Sequence, residues 1–121
     1  MEERNEIITV EGIRNRVYMI RDMQVMLDSD LAEIYGYDLK AMNQQVKRNI
    51  NRFPEDFMFQ LTDEERENLR CNFCTANISS KSRTNPYAFT EQGIYMLATV
   101  LKGELAEKQS IFIMRAFKEM R

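Results

Sequence analysis

The stretch from Asp28 to Arg52, DSDLAEIYGYDLKAMNQQVKRNINR, decides how the rest of the chain is read. It predicts two short helices joined by a tight turn. Ser29, or Asp28 or Asp30, can cap the first helix, because each offers a side-chain oxygen to a backbone N–H left unpaired at a helix start. Leu31, Ile34 and Tyr35 are spaced i, i+3 and i+4 and share one face. Gly36 follows, where a helix end favours a residue that takes the left-handed backbone freely. The second helix runs from about Leu39 to Asn51, with Leu39, Met42, Val46 and Ile50 on its inner side. This layout suits a helix-turn-helix. Ala32 supplies the small residue where two helices cross, and Gly36 is the turn glycine four positions on. Leu31, Tyr35, Tyr37 and Met42 fill the apolar positions around them. The last apolar position falls on Gln45 rather than Val46, one residue out of register.

Charge points the same way. From Leu39 to Pro54 the chain holds Lys40, Lys47, Arg48 and Arg52 and no acid, and the other polar residues are Asn43, Gln44, Gln45, Asn49 and Asn51. On a 100° wheel the face opposite the apolar row carries Lys40, Ala41, Gln44, Arg48, Asn51 and Arg52, flanked by Gln45 and Lys47. Amides pair bidentately with adenine, Arg and Lys with guanine, and both kinds reach phosphate. A helix of this span is about 20 Å long, and it lies lengthwise in a major groove roughly 12 Å wide. An ordinary solvated helix face mixes signs through i,i+4 pairs. This one does not.

The whole chain sets the limits. Its 121 residues allow one domain, 1–121, with a single core, and 44% hydrophobic and 30% charged content is ordinary for a globular protein. The apolar runs are too short to span a bilayer and the N-terminus lacks the shape of a signal peptide, so the expected compartment is the cytoplasm, with no membrane partner. A net charge of −2 argues against binding DNA. That charge is segregated, however, with the acid-free blocks 39–54 and 68–90 set between acidic ones, and the potential at a contact face matters more than the total. Histidine is absent, which removes the commonest general base and metal ligand together. Cys71 and Cys74 form a C-x-x-C with no second pair to complete a zinc site, and they read as two reduced thiols. Neither a metal nor a cofactor is expected.

Around the central stretch the elements are short. Ile7, Ile8 and Val10 predict a brief strand. Val17 to Ile20 and Gln24 to Leu27 predict a β-hairpin turning at Arg21-Asp22 and running straight into the first helix of the pair. Phe53-Pro54 ends the second helix. Phe57 to Leu61 reads as a strand, able to pair with Tyr87 to Phe89. Thr62 and Glu65 make a capping box for a polar helix anchored by Leu69 and Phe73. Thr75 to Pro86 is a loop by composition, either a plain flexible connection or, through Lys81 and Arg83, a wing-like arm able to touch phosphate. Thr90 caps a helix whose core stripe is Ile94, Leu97, Ala98 and Leu101, and Gly103 breaks it. Glu104 to Met120 forms the last helix, with Leu105, Phe112, Ile113, Ala116, Phe117 and Met120 as a wide stripe. Core packing is the first reading of that stripe and a homodimer interface the second. The fold class is therefore α+β: an N-terminal β-hairpin leading into a helix-turn-helix, a small antiparallel strand pair and two C-terminal core helices.

The segments 25–65 (VMLDSDLAEIYGYDLKAMNQQVKRNINRFPEDFMFQLTDEE), 86–97 (PYAFTEQGIYML) and 113–117 (IMRAF) resemble the ORF-6-N domain family. These are N-terminal domains of phage and prophage antirepressor-type proteins, related to the KilA-N and Bro-N domains. The resemblance covers roughly residues 13–120 and implies a DNA-binding domain with a regulatory role. It brings no defined set of functional residues, so the candidate site rests on the helix wheel. Many members carry a further domain after this one, whereas the present sequence ends at Arg121.

The leading expectation is a sequence-specific DNA-binding domain that lays the helix 39–52 in the major groove of double-stranded DNA. Lys40, Gln44, Gln45 and Arg48 are its base readers, and Lys47, Arg52, Lys81 and Arg83 its phosphate contacts. Asn43 and Asn49 lie towards the inner side and read as structural. The alternative is a protein-interaction module that inactivates a repressor protein through the acidic block 55–67 and the apolar stripe of the last helix. No catalytic residue is assigned. Glu64, Glu65 and Glu67 read as solvated charge, and an enzyme is not expected.

Overall fold

The computed structural model describes residues 10–72 and 84–120. Its elements, in chain order, are α1 (Val10–Arg14), β1 (Val17–Ile20), β2 (Met23–Leu27), α2 (Asp28–Tyr35), α3 (Leu39–Arg48), a 3-10 turn (Ile50–Arg52), β3 (Met58–Gln60), α4 (Asp63–Asn72), β4 (Tyr87–Thr90), α5 (Glu91–Leu101) and α6 (Glu104–Glu119). The expected α+β class holds, with one change in its layout. The hairpin and the second strand pair are not separate. They join through β2 and β4 into one antiparallel sheet of order β1-β2-β4-β3. Met26 stands opposite Phe89, and Phe89 opposite Met58.

The hairpin turns where expected. Arg21 and Asp22 both take positive φ, 55° and 63°, and Ile20 pairs with Met23. Two consecutive left-handed residues give the turn whose twist matches that of the flanking strands. Each face of the sheet buries its own cluster, since side chains alternate along a strand. Met26, Met58 and Phe89 point into the main core, where they meet Leu31, Ile34, Met42, Val46, Ile94, Leu97, Ile113 and Phe117 of the helices. Tyr18, Ile20, Val25, Leu27, Phe59 and Ala88 line the other face, under Leu69 of α4. Arg21 also crosses that face, its guanidinium 4.0 Å from the Phe59 ring centre.

Several expected local signals are present in detail. Thr62 N–H donates to Glu65 Oε1 at 2.9 Å and Glu65 N–H to Thr62 Oγ1 at 3.1 Å, a reciprocal capping box. The Thr90 hydroxyl accepts from Gly93 N–H at the start of α5 and itself donates to the Asp56 carbonyl at 2.7 Å. One feature of that corner has no local signature. A β-carbon on Gly93 would stand 1.9 Å from the Phe57 carbonyl oxygen, so only glycine lets α5 approach the strand entry so closely.

Three expectations are corrected and one is met. Val10 begins a helical turn rather than a strand, and the Ile13 of that turn is fully buried in the main core. The cap position of α2 is Leu27, because β2 runs directly into the helix, and Asp28 takes the Ser29 N–H at 2.8 Å from within the first turn instead. Gly103 breaks α5 as expected: the helix ends at Leu101, and Lys102 and Gly103 both take positive φ. The stripe of α6 is core at Ile113, Ala116 and Phe117, but Leu105 is half-exposed. Ile7, Ile8, Phe73 and the loop 75–83 lie outside the described residues.

Candidate nucleic-acid interface

α2 and α3 are joined by Gly36, Tyr37 and Asp38. Gly36 has φ 71° and ψ 30°. Its N–H bonds to the Glu33 carbonyl and that of Tyr37 to Ala32, which satisfies the last carbonyls of α2 in the pattern that glycine permits. Asp38 then caps α3, accepting from Ala41 N–H at 3.3 Å. Tyr35 is buried and shares a 2.9 Å hydrogen bond with Ser110 of α6, and burial pushes its pKa up to about 12. Gln109, also on α6, donates to the Ile34 carbonyl at 2.9 Å. Tyr37 donates to the Leu101 carbonyl at 3.2 Å. The helix pair is thus tied to both C-terminal helices at its turn.

The roll of α3 about its own axis is set by two kinds of contact. Met42 and Val46 are buried against the core. Beside them Asn43 donates through Nδ2 to Oδ2 of Asp28 at 3.2 Å. Asp28 is itself buried, and Ser29 N–H and the Tyr87 backbone also bond to it. Desolvation raises its pKa, although those hydrogen bonds oppose the rise. The structural reading of Asn43 and Asn49 is met, since Asn49 Nδ2 donates to the Gln45 carbonyl at 2.9 Å.

That last bond also shortens the helix. An Asn side chain bonding back to a carbonyl competes with the helical backbone. The chain leaves α3 at Arg48 and tightens into a 3-10 turn that delivers Phe53 edge-on to Phe89, ring centres 5.9 Å apart. The expected helix to Asn51 is therefore overlong. Two of its four inner positions are corrected with it: Leu39 is 38% exposed and Ile50 49%. Ten residues make α3 about 15 Å long.

Lys40, Gln44, Lys47 and Arg48 are all exposed, and helical spacing places them on the side of α3 away from Met42 and Val46. Gln45 is half-buried at the margin of this ridge. Arg52 is exposed but belongs to the 3-10 turn, off the helix. Lys81 and Arg83 lie outside the described residues. Among the described residues none of Lys40, Lys47, Arg48 and Arg52 forms an ion pair, whereas Arg14, Arg16, Arg21 and Arg70 all do. No cluster of carboxylates and thiols able to hold a metal occurs among the described residues, and Cys71 is an exposed free thiol 3.7 Å from Glu67.

The family model described as the ORF6N domain matches residues 15–100. The chain belongs to this family. The ORF6N match makes it a phage-type regulatory domain, and it spans β1 to α5, with the whole α2–α3 pair inside it. It is shorter than the resemblance read from the sequence, because α6 with residues 113–117 lies beyond it. Among curated proteins and among solved structures nothing matches the chain. In the described residues of this ORF6N protein no helix is long and apolar enough to cross a membrane.

Proposed function

We propose that this ORF6N domain binds double-stranded DNA sequence-specifically, with α3 as the recognition helix of a helix-turn-helix in the major groove. One observation carries the reading: an exposed, acid-free ridge whose cations have no partner among the described residues. Gln44 lies at its centre, with Lys40 one turn before and Arg48 one turn after. A side chain able to pair with adenine thus stands between two suited to guanine or phosphate. Arg52 on the following turn contacts the backbone. Lys81 and Arg83 remain candidate phosphate contacts from the sequence alone.

The second reading, a module that inactivates a repressor by direct contact, has less to draw on. Two of the acids offered for its surface, Glu65 and Glu67, are taken up by Arg21 and Arg70, and much of the α6 stripe is core.

Selection from random duplex DNA followed by a salt titration on the winner tests the proposal. Affinity should fall as salt rises, with a slope of about 0.9 per phosphate neutralised. Binding that stays flat between 50 and 300 mM salt, or a selection that enriches no sequence, rejects it.

A further inference from the structure

The sharp reversal between α5 and α6 holds the one lysine of the described residues with a left-handed backbone. Lys102 has φ 59° and ψ 179°. That combination lies in a region essentially reserved for glycine, because a β-carbon there collides with the neighbouring peptide. Glycine is the next residue, Gly103, also at positive φ. The lysine gives the fold nothing visible in return. Its side chain is exposed, and among the described residues no ion pair or side-chain hydrogen bond engages it. Strain held at an exposed side chain points outward, to something the side chain meets.

What lies beside it is the turn between α2 and α3. The Leu101 carbonyl, one residue away, accepts the Tyr37 hydroxyl at 3.2 Å. On the other flank, Leu105 Cδ2 sits 3.3 Å from where a β-carbon on Gly36 would be. The α5–α6 reversal is therefore clamped to the α2–α3 turn on both sides of Lys102, so an exposed lysine is carried on the reversal packed against the turn that leads into α3 and Lys40. When a recognition helix enters the major groove N-terminus first, the sugar-phosphate chain bordering the groove passes such a neighbouring turn.

We propose that Lys102 is a phosphate contact of the DNA interface, presented by the strained reversal and held in register with α3 by Tyr37 and Leu105. This rests on the reading of α3 as the recognition helix. It extends that reading to a residue outside the ORF6N match, which ends at residue 100.

The test compares Lys102→Gly and Lys102→Ala with the full chain, on the selected duplex and across a salt series. Both variants should lower affinity by about eightfold at 0.1 M salt and reduce the salt slope by about 0.9, the value of one phosphate contact. Lys118→Ala, at the far end of α6, should leave the slope unchanged. In thermal melts Lys102→Gly should unfold at a higher temperature than Lys102→Ala, since only glycine relieves the backbone. Unchanged affinity and slope in both Lys102 variants, alongside weakened binding by Arg48→Ala, overturns the inference and leaves the recognition helix standing. Weak, salt-independent binding by the wild-type chain overturns the recognition helix itself. If Lys102→Ala melts at or above Lys102→Gly, the strain argument is wrong and the proposal falls with it.

Discussion

α3 and α4 are both polar helices of ten residues, and they treat their charges in opposite ways. α4 is settled. Its capping box closes its first turn, Glu65 is gripped by Arg21 at 2.7 and 3.1 Å, and Glu67 holds Arg70 three residues on. One buried leucine, Leu69, fastens it to the sheet. α3 is fastened at least as firmly, by Met42, Val46 and the Asn43–Asp28 hydrogen bond, yet its outer face is left unbalanced. Nothing in the fold requires Lys40, Lys47 and Arg48 to lack acids. A helix that needed only to be solvated gains a few tenths of a kcal/mol from each i,i+4 pair. α4 pairs Glu67 with Arg70 three residues on and Glu65 with Arg21, whereas α3 makes no ion pair among the described residues, which distinguishes a face complete in itself from the one we propose a polyanion completes.

Both helices depend on one frame, and breaking it has the largest expected effect. Gly93→Ala drives a β-carbon into the Phe57 backbone, which cannot move aside as a side chain tip would. Overpacking of this kind costs about 3 kcal/mol or more when backbone must shift. Denaturant unfolding should show that loss, and an unchanged midpoint would mean the α5 approach is looser than described.

The next prediction turns α3 into a copy of its counterpart. Gln44→Glu places an acid four residues from both Lys40 and Arg48. Helix stability should rise by about 0.2–0.5 kcal/mol per pair formed. DNA affinity should fall roughly tenfold or more, because a carboxylate then faces the phosphates and the acceptor edges of the bases. A more stable protein that binds DNA as before would end the case for the ridge. Arg48→Ala sharpens the same point: about 1–3 kcal/mol lost on the selected site and little on random duplex marks a base reader, while equal losses mark a phosphate contact.

How far all this could be read in advance depends on what each signal is made of. The Arg21-Asp22 turn, Gly36, the Thr62–Glu65 box and the Thr90 cap are decided within four residues, and each was legible. So was the ridge, because helical periodicity separates Lys40, Gln44 and Arg48 from Met42 and Val46 without reference to the rest of the fold. Signals spread over long separations were not. The union of β2 with β4 joins residues more than sixty positions apart, and nothing in either strand names its partner. Gly93 is special only because of Phe57, and Lys102 only because the left-handed backbone of the reversal begins at it rather than at Gly103. The five-residue α1 is too short to show a period. α3 stops early through one side chain, Asn49, bonding to the Gln45 carbonyl instead of leaving it to the backbone.

A smaller effect tests the hinge between β2 and α3. Burial raises the pKa of Asp28 above its ordinary 3.8, so the folded state holds that proton more tightly than the unfolded chain. Its contribution to stability is complete below that value and is lost as pH rises through the folded one. Asp28→Asn removes this titration while leaving an oxygen for Ser29 and Tyr87, and Asn43 can rotate to present its own oxygen. The variant should gain on the wild type steadily as melts move from pH 3 to pH 7. A constant difference across that range would show that Asp28 titrates alike folded and unfolded.

The smallest expected effect concerns Glu65, where the sign is reversed. Its hydrogen bond to Arg21 is the main reason its pKa lies below the ordinary 4.5, and the Thr62 contacts add to it. Folding therefore favours the carboxylate, and the contribution is present above pH 4.5 and lost as pH falls through the lowered value. Glu65→Gln keeps an acceptor for the capping box and removes only the charge. An ion pair this close to the surface is worth less than about 1 kcal/mol, so the variant should melt slightly below the wild type at pH 7 and together with it in acid. Its affinity for DNA should not change, because the pair closes a face already complete. If Glu65→Gln weakened binding as much as Arg48→Ala, the two helices would share one electrostatic surface, and the distinction between a settled face and an unbalanced one would fail.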